Sequence, residues 1–332
     1  MPRLRLWLAS AALAVSGCGG PFPQSTLHPH SDFARATDVL FTEIFWWAAA
    51  VFVVVELLLV VALVRFRHRE GRPAPKPTHG HTLMEIAWTL APAVILVFVA
   101  VPTVRTIFAT AGDAPPDALK VEVIGHQWWW EYRYPDLGIT TANEMHVPVG
   151  QTVQVAITSA DVIHSFWAPA LGGKRDAIPG RVNRIAFRAD SEGDYSGQCA
   201  EFCGASHANM RLRVMVESGP GFAAWVEQQK SGAAAPPRAS LAELGKAIYT
   251  RSACIGCHAI QGVSPGIIGP NLTHVGSRTT LAGGMFPNDS GHVARWIADA
   301  PALKPGSIMT RMQPPLTDAD VAALVAYLAI LK

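Results

Sequence analysis

The sequence predicts a multidomain membrane protein that joins a two-helix transmembrane hairpin, an all-β sandwich and a C-terminal all-α domain. Half of its 332 residues are hydrophobic and the mean hydropathy is +0.22, which is unusual for a soluble protein and predicts membrane spans. From Lys120 onward, apolar and polar residues alternate, as is typical of strands. Helical apolar spacing returns near the C-terminus. A formal net charge of +2 gives no sign of a nucleic-acid-binding protein.

Residues 1–17 are expected to be a lipoprotein-type signal peptide. Two arginines precede the short apolar run Leu6–Val15, and the small-residue segment VSGC ends in Cys18. Cleavage there would leave Cys18 as a lipid-carrying N-terminus, followed by an exported segment, residues 18–38. The alternative is an ordinary or uncleaved signal peptide with an incidental cysteine.

Two apolar runs are each long enough to cross a bilayer, which takes about 20 helical residues. We expect transmembrane helices at residues 39–64 and 82–109. The segment between them, residues 65–81, contains RFRHREGRPAPK, and its arginines and lysines predict a cytoplasmic loop. Both outer flanks of the hairpin then face the opposite side, in agreement with the export signal.

Residues 113–218 are expected to form the β-sandwich. KVEVIGHQWWWEYRY, QTVQVAITS, VNRIAFRA and MRLRVMVES combine period two with β-branched residues and are separated by Gly, Pro and Asp. SGPG and SGAAAPPRAS predict a linker at residues 219–238. The segments LAELGKAIYTRSACIGCH and DADVAALVAYLAILK then carry helical spacing and predict a helical domain at residues 239–332.

The segment CAEFCGASHANM combines Cys199, Cys203, His207 and Met210. Methionine is a poor zinc ligand, a cysteine-ligated iron–sulfur cluster wants four cysteines, and a disulfide leaves the histidine and methionine unexplained. Thiolate, thioether and imidazole together suit copper, and two bridging thiolates could hold two copper ions instead of one. His164, in DVIHSFWAP after a predicted strand, is the candidate for a second imidazole ligand, with a surface-turn histidine as the alternative.

The segment CIGCH is the attachment motif of a c-type haem. Cys254 and Cys257 would form the two thioether bonds, and His258 would be the axial ligand. A redox or zinc CxxC pair is the alternative, which the adjacent histidine and the exported context argue against. A c-type cytochrome usually has a distal methionine, and the candidates are Met285, Met309 and Met312.

The segments DVIHSFWAPALGGKRDAIPG and GQCAEFCGASHANM resemble subunit II of cytochrome c oxidase, the haem–copper terminal oxidase, and the resemblance extends over Val39–Ser218. It implies a cupredoxin domain, a Greek-key sandwich, with the binuclear copper centre CuA. It also implies that the carboxylate of Glu201 reaches a magnesium ion shared with subunit I. The implied copper ligands are Cys199 and Cys203 as bridges, His164, His207, Met210 and the backbone carbonyl of Glu201.

Two further roles follow from the same resemblance. The first aromatic residue of the GHQWWWEYRY run, Trp128, matches the position at which electrons enter the subunit, with packing as the alternative reading. Glu85, which opens the second span, matches a glutamate at the mouth of a proton-uptake path into subunit I. A solvated carboxylate at a helix end is the simpler reading of Glu85.

IGPNLTHVG followed by a late methionine resembles class I cytochrome c domains. In such domains fused to oxidase subunit II, as in caa-type oxidases, the distal methionine follows a KPG turn by three residues. This selects Met309 and makes Met312 the second choice. The five cysteines are then all assigned: one to lipid, two to copper and two to haem.

The resemblance implies an electron-transfer subunit of a proton-pumping respiratory oxidase. Electrons from cytochrome c or a quinol–cytochrome c reductase would pass through haem c and CuA to subunit I, which reduces oxygen beside subunit III. The chain would lie in a bacterial inner membrane, with both metal domains on the periplasmic face. The alternatives are the copper subunit of a nitric oxide reductase and a free-standing electron carrier. The two spans and Glu85 argue against the free-standing carrier.

Overall fold

The computed structural model describes residues 22–67, 70–71, 77, 79–112, 114–307, 309 and 315–332. The expected signal peptide, Cys18 and Met312 lie outside the described residues. The described part of the chain contains two long apolar helices, a β-sandwich and a small helical domain, in that order.

The helices α1 (Asp32–Arg65) and α2 (Thr82–Thr110) are long and apolar enough to cross a membrane. They contact one another, with the rings of Trp47 and Phe98 stacked at 5.5 Å. Helix α1 begins well before the expected span because the Ser31 hydroxyl caps it, accepting a hydrogen bond from the backbone N–H of Ala34.

The first turn of α1 is fastened to the sandwich. The Ser31 hydroxyl donates to the carbonyl of Leu171 at 2.5 Å, and the Asp32 carboxylate accepts from the backbone N–H of Arg188 at 2.8 Å. Arg35 adds a two-point ion pair with Asp190. The helix therefore starts directly on the sandwich, without a flexible connection.

The sandwich consists of two five-stranded sheets, with strand orders β3-β2-β1-β5-β8 and β4-β10-β9-β6-β7. Within them β1 pairs with β5 and β4 with β10 in parallel, and the other pairs are antiparallel. The strands are β1 (Leu119–His126), β2 (Trp129–Tyr134), β3 (Ile139–Ala142), β4 (Glu144–Pro148), β5 (Thr152–Ser159), β6 (His164–Trp167), β7 (Arg175–Ala177), β8 (Asn183–Arg188), β9 (Gly193–Cys199) and β10 (Arg211–Glu217).

Alternation along the strands builds the core between the two sheets. On β2, Trp130, Tyr132 and Tyr134 are fully buried, because every second side chain of a strand points to the same face. Trp130 meets Phe166 of the opposite sheet edge to face, with ring centroids 5.7 Å apart. This packing holds β6 and β9, which carry the candidate metal ligands, in place.

The expected linker at residues 219–238 begins instead with a helix, α3 (Gly219–Lys230). Ser218 caps it, and Pro220 occupies its first turn, where proline is well tolerated. Trp225 is buried against the sandwich and stacks on His146 at 4.5 Å. The Gly and Pro residues that predict a linker therefore mark the start of a helix that belongs to the sandwich.

The C-terminal domain packs helix α4 against helix α8 around Ile248, Tyr249, Leu324 and Tyr327. Four two-residue strands, β11 to β14, lie in its loops, so the domain is helical with small β additions. The elements are α4 (Leu241–Arg251), α5 (Cys254–Cys257), β11 (Ala259–Ile260), β12 (Ser264–Pro265), β13 (Thr280–Leu281), β14 (Phe286–Pro287), α6 (Ser290–Ala298), α7 (Ala300–Leu303) and α8 (Asp318–Ile330).

Gly245 is the point of closest approach between α4 and α8, because a Cβ there would overlap the backbone of Ala323. We expect Gly245→Ala to destabilise the helical domain by about 3 kcal/mol, the upper end of the usual overpacking cost, since the backbone cannot move aside. Thermal unfolding followed by circular dichroism checks this. Gly219→Ala is the matched control, because a Cβ at Gly219 meets no atom within 4 Å; equal melting of both variants would contradict the packing argument.

Candidate metal centres

Strand pairing brings the distant histidine to the cysteine loop. Strands β6 and β9 are antiparallel neighbours, with Phe166 opposite Cys199. The loop that follows β9, Cys199–Met210, is named the metal loop below. His164 begins β6 and is fully buried, so its imidazole points into the end of the sandwich beside this loop.

Six residues then converge. His164, Cys199 and Cys203 bring one ligand atom each to within 4.8 Å of one another. The two thiol sulfurs are 3.7 Å apart, and Cys203 Sγ lies 3.6 Å from His207 Nδ1 and 3.8 Å from Met210 Sδ. Cys199 Sγ lies 4.0 Å from His164 Nδ1 and 3.2 Å from the carbonyl oxygen of Glu201. We call these residues the thiol cluster: His164, Cys199, Glu201, Cys203, His207 and Met210.

The electrostatics of the cluster favour ionised sulfur. The hydrogen bond between the two thiols lowers the pKa of Cys199 to about 3, against the opposing effect of burial. The same contact raises the pKa of Cys203. Thiolate is the form of cysteine that binds metals.

Asp161 orients the His164 ring. Its carboxylate Oδ1 accepts from His164 Nε2 at 2.8 Å, and Oδ2 accepts from the backbone N–H of Gln127 at 2.7 Å. Nδ1 of His164 is thereby left facing Cys199. A carboxylate that holds the far nitrogen of an imidazole is a common supporting contact of metal-binding histidines.

The chemistry of the cluster fits copper. Two thiols, a thioether, two imidazoles and a carbonyl form a soft, sulfur-rich set, and all six are held by strands or a short loop. The side chain of Glu201 points away, with 45% of it exposed, and its carboxylate lies 3.8 Å from Lys174 Nζ. Its backbone and its side chain therefore face different surroundings.

The haem motif lines a cavity of about 540 Å³ between the sandwich and the helical domain, named the interdomain cavity below. Cys254, Cys257, His258 and Met309 line it from the helical domain, and Trp128 and Trp129 line it from the sandwich. Met285 is not among the described residues that line the cavity. The motif and Met309 thus share one cavity, whereas Met312 lies outside the described residues.

His258 is prepared to bind a metal. Its Nδ1 lies 2.8 Å from the carbonyl oxygen of Pro270, so Nδ1 must carry the proton and Nε2 keeps a free lone pair. Burial lowers the pKa of His258, which favours the neutral ring. A Cβ at Gly269 would overlap this ring, so glycine is needed there.

Arg278 supplies a further test of fit. Its guanidinium is buried, and burial lowers its pKa to about 10, with Glu144 opposing the shift. Its Nη2 donates to the carbonyl of Asn271, whereas its Nε has no hydrogen-bond partner among the described residues. The side chain lines the interdomain cavity. A haem carries carboxylates that can satisfy a buried guanidinium, so the cavity suits this group.

Trp128 stands between the two centres. Its indole Nε1 donates to the carbonyl of Cys203 at 3.0 Å, and the Gln127 amide donates to the same oxygen at 2.8 Å. The six-membered ring of Trp128 packs against Gly306 of the helical domain. One side chain thus contacts both the metal loop and the wall of the interdomain cavity.

Glu85 lies in the first turn of α2, far along the chain from either centre. Its carboxylate accepts a hydrogen bond from the backbone N–H of His81 at 3.1 Å, and the His81 ring accepts from the N–H of Met84. Glu85 therefore has a local role in capping the helix, whatever else it does.

Sequence reasoning missed Asp161, Arg278 and Lys304, a lysine described below. Asp161 could have been found, because it stands three residues before His164 and the pair reads as a carboxylate supporting an imidazole. The contact of Lys304 depends on a carbonyl 176 residues away in the sequence, although the KPG turn that contains Lys304 is the feature that selects Met309. No local pattern marks Arg278 as a residue that lines a cavity.

Three family models match the chain. Residues 28–106 match the transmembrane domain of cytochrome c oxidase subunit II, residues 137–218 match its periplasmic domain, and residues 242–332 match cytochrome c. The first two cover most of the two long helices and strands β3 to β10 of the sandwich, and the third covers the helical domain.

Curated relatives match over nearly the whole length. Cytochrome c oxidase subunit 2 of Alkalihalophilus pseudofirmus is 36% identical over 98% of this chain and 96% of its own. The Bacillus subtilis protein of the same name is also 36% identical, over 99% of this chain and 98% of its own. A solved periplasmic domain of subunit II from Bradyrhizobium japonicum is 40% identical, covering 36% of this chain and 97% of its own, with a TM-score of 0.35. The chain belongs to the cytochrome c oxidase subunit II family, in a form that carries a C-terminal cytochrome c domain.

Proposed function

We propose that the chain is the electron-transfer subunit of a respiratory terminal oxidase. It accepts electrons at a covalent haem c, passes them to a binuclear copper centre in its sandwich, and delivers them to a catalytic partner subunit that reduces oxygen. The observation that carries this proposal is the position of Trp128, which contacts the metal loop through Cys203 and lines the cavity that holds the CIGCH motif.

The proposed copper ligands are the six residues of the thiol cluster, with Cys199 and Cys203 as bridges. Copper held by these residues would supply a one-electron centre. The protein's part is to keep the ligands still: β6 and β9 fix His164 and Cys199, and Asp161 fixes the ring of His164. A rigid ligand set means that little reorganisation accompanies gain or loss of an electron.

The proposed haem ligands are Cys254 and Cys257 through thioether bonds, with His258 and Met309 as axial ligands. Haem bound there supplies a second one-electron centre. The Pro270 carbonyl orients His258. The buried Nε of Arg278 would bind a carboxylate of the haem. The walls of the cavity come from both domains.

Further proposals concern the surroundings of the subunit. The Glu201 carboxylate, directed away from the thiol cluster, would meet a magnesium ion at the contact with subunit I, and Glu85 would stand at the mouth of a proton path. Subunit III and a cytochrome c or quinol–cytochrome c reductase are the other proposed partners. We place the chain in a bacterial inner membrane with its metal domains on the periplasmic side and lipid on Cys18.

Optical and EPR spectroscopy of the purified complex, combined with turnover of oxygen, tests the proposed function. We expect signals of a mixed-valence copper pair and of one c-type haem, together with oxygen consumption driven by reduced cytochrome c. Turnover of nitric oxide without oxygen would indicate a nitric oxide reductase instead. Purification without a haem-bearing membrane partner would indicate a free-standing carrier.

Cys199→Ser is expected to abolish the mixed-valence copper spectrum, because one of the two bridging sulfurs is lost. The haem spectrum should be unchanged, since Cys199 lies in the other domain. EPR and optical spectra of the same sample measure both. A normal copper signal in the variant would rule out the bridging role.

Asp161→Asn is expected to lower copper affinity by roughly 10–100-fold, the usual cost of losing a supporting carboxylate. The amide can still hold Gln127 N–H but supports the His164 ring less strongly. Competition with a copper chelator measures the affinity. Asp136→Asn, at an exposed ion pair with Lys120, is the control and should bind copper as the unaltered chain does.

Met309→Ala is expected to lower the haem reduction potential and remove the sulfur-to-iron absorption band, because an axial methionine raises the potential of a c-type haem. Met312→Ala should change neither. Redox titration of the two variants, followed optically, distinguishes them. The reverse pattern would make Met312 the ligand.

A further inference from the structure

We propose that Lys304 and Glu144 are positioning residues that clamp the cytochrome c domain onto the cupredoxin domain, so that electrons reach the copper centre from one fixed arrangement. This inference rests on the proposed function of the two metal centres. Each residue is buried, each carries an ionisable side chain, and each crosses from one domain to bind the backbone of the other.

Lys304 crosses from the cytochrome c domain. Its Nζ donates to the carbonyl of Trp128 at 2.6 Å and to that of Ala282 at 2.8 Å, and the side chain is 4% exposed. Burial lowers the pKa of Lys304 to about 7, with Cys203 opposing the shift. Burying an ammonium is unfavourable unless hydrogen bonds compensate, and here Trp128 of the other domain supplies one of the two acceptors.

The residues that follow Lys304 extend this contact along the metal loop. The Ser206 hydroxyl donates to the carbonyl of Pro305 at 2.6 Å, and Ser206 is fully buried. Gly306 has a φ of +90° and packs against the ring of Trp128, where a Cβ would overlap that ring. The docking turn, Lys304–Gly306, therefore covers Trp128 and the middle of the metal loop at once.

Glu144 crosses in the opposite direction, from β4 of the sandwich. Its carboxylate is 2% exposed and accepts from the backbone N–H and the hydroxyl of both Thr279 and Thr280, at 2.7–3.1 Å. Four donors on one turn of the cytochrome c domain surround a single carboxylate. All of these donors belong to the other domain, so these hydrogen bonds exist only while the two domains stay together.

Lys304 and Glu144 hold the same arrangement of the two domains from two separate positions. Separation of the domains would exchange the interdomain hydrogen bonds of Lys304 and Glu144 for hydrogen bonds with water, so each residue favours the docked arrangement by the net strength of its charge-assisted hydrogen bonds. The clamp also covers Trp128 with the chain's own cytochrome c domain. An external donor would then deliver its electron to haem c rather than to Trp128.

The test compares full-length, metal-loaded chains to which a photoreductant has been added. A light flash makes the photoreductant reduce haem c, and the later reduction of copper is followed optically. For Glu144→Gln/Lys304→Met we expect electron transfer to copper at least about tenfold slower, because hydrogen bonds to charged groups are lost. We also expect this rate to depend on solvent viscosity. Transfer in the unaltered chain should be independent of viscosity. The matched control is Glu227→Gln/Lys230→Met, which removes an exposed ion pair and should leave the rate unchanged.

Thr279→Val/Thr280→Val is the second test, because it removes both hydroxyl donors to Glu144 and alters no charge. Slower, viscosity-dependent transfer with unchanged haem and copper spectra in either double variant supports the clamp. Transfer at the unaltered rate in both overturns it. A slower rate that is accompanied by altered spectra also overturns it, since the residues would then act on the centres themselves. Absence of transfer in the unaltered chain would instead contradict the proposed function.

Discussion

The hydrogen bond from the Trp128 indole to the Cys203 carbonyl connects the metal loop to a side chain that lines the interdomain cavity. Cys203 directs its side chain into the thiol cluster and leaves its backbone carbonyl for contacts outside the metal loop. Trp128 and Gln127 both use the carbonyl of Cys203. The turn between β1 and β2 therefore contacts the metal loop, and the cytochrome c domain contacts the same turn. A change in the hydrogen bond between Trp128 and Cys203 would alter both the contact of this turn with the metal loop and its contact with the cytochrome c domain.

Local motifs were predictable from the sequence because their chemistry is contained in consecutive residues. The CIGCH segment and the metal loop contain most of the candidate ligands, and the strand pattern predicts that His164 comes just after a strand, whereas in the structure His164 begins β6. The resemblance to the family supplied the roles expected of Glu201 and Met309. The structure brings the six residues of the thiol cluster together and gives Met309 a place in the interdomain cavity.

The contacts between domains were not predictable in this way. Lys304 and the Trp128 carbonyl are 176 residues apart, and Glu144 and Thr279 are 135 apart. Their partners are largely backbone groups, which every residue has and which leave no mark on the sequence. Helix α3 was missed for another reason: Gly and Pro mark both linkers and helix starts, and only the burial of Trp225 decides between them.

The direct start of α1 on the sandwich couples the copper-binding domain to the thickness of the bilayer. Its 34 residues span about 51 Å at 1.5 Å per residue, well beyond a hydrocarbon core of about 30 Å. A thinner or thicker membrane would be matched mainly by a change in helix tilt. Because Ser31, Asp32 and Arg35 hold the helix to the sandwich, that tilt would carry the thiol cluster with it. Lipid composition thus becomes a variable that sets the height of the metal centre above the membrane.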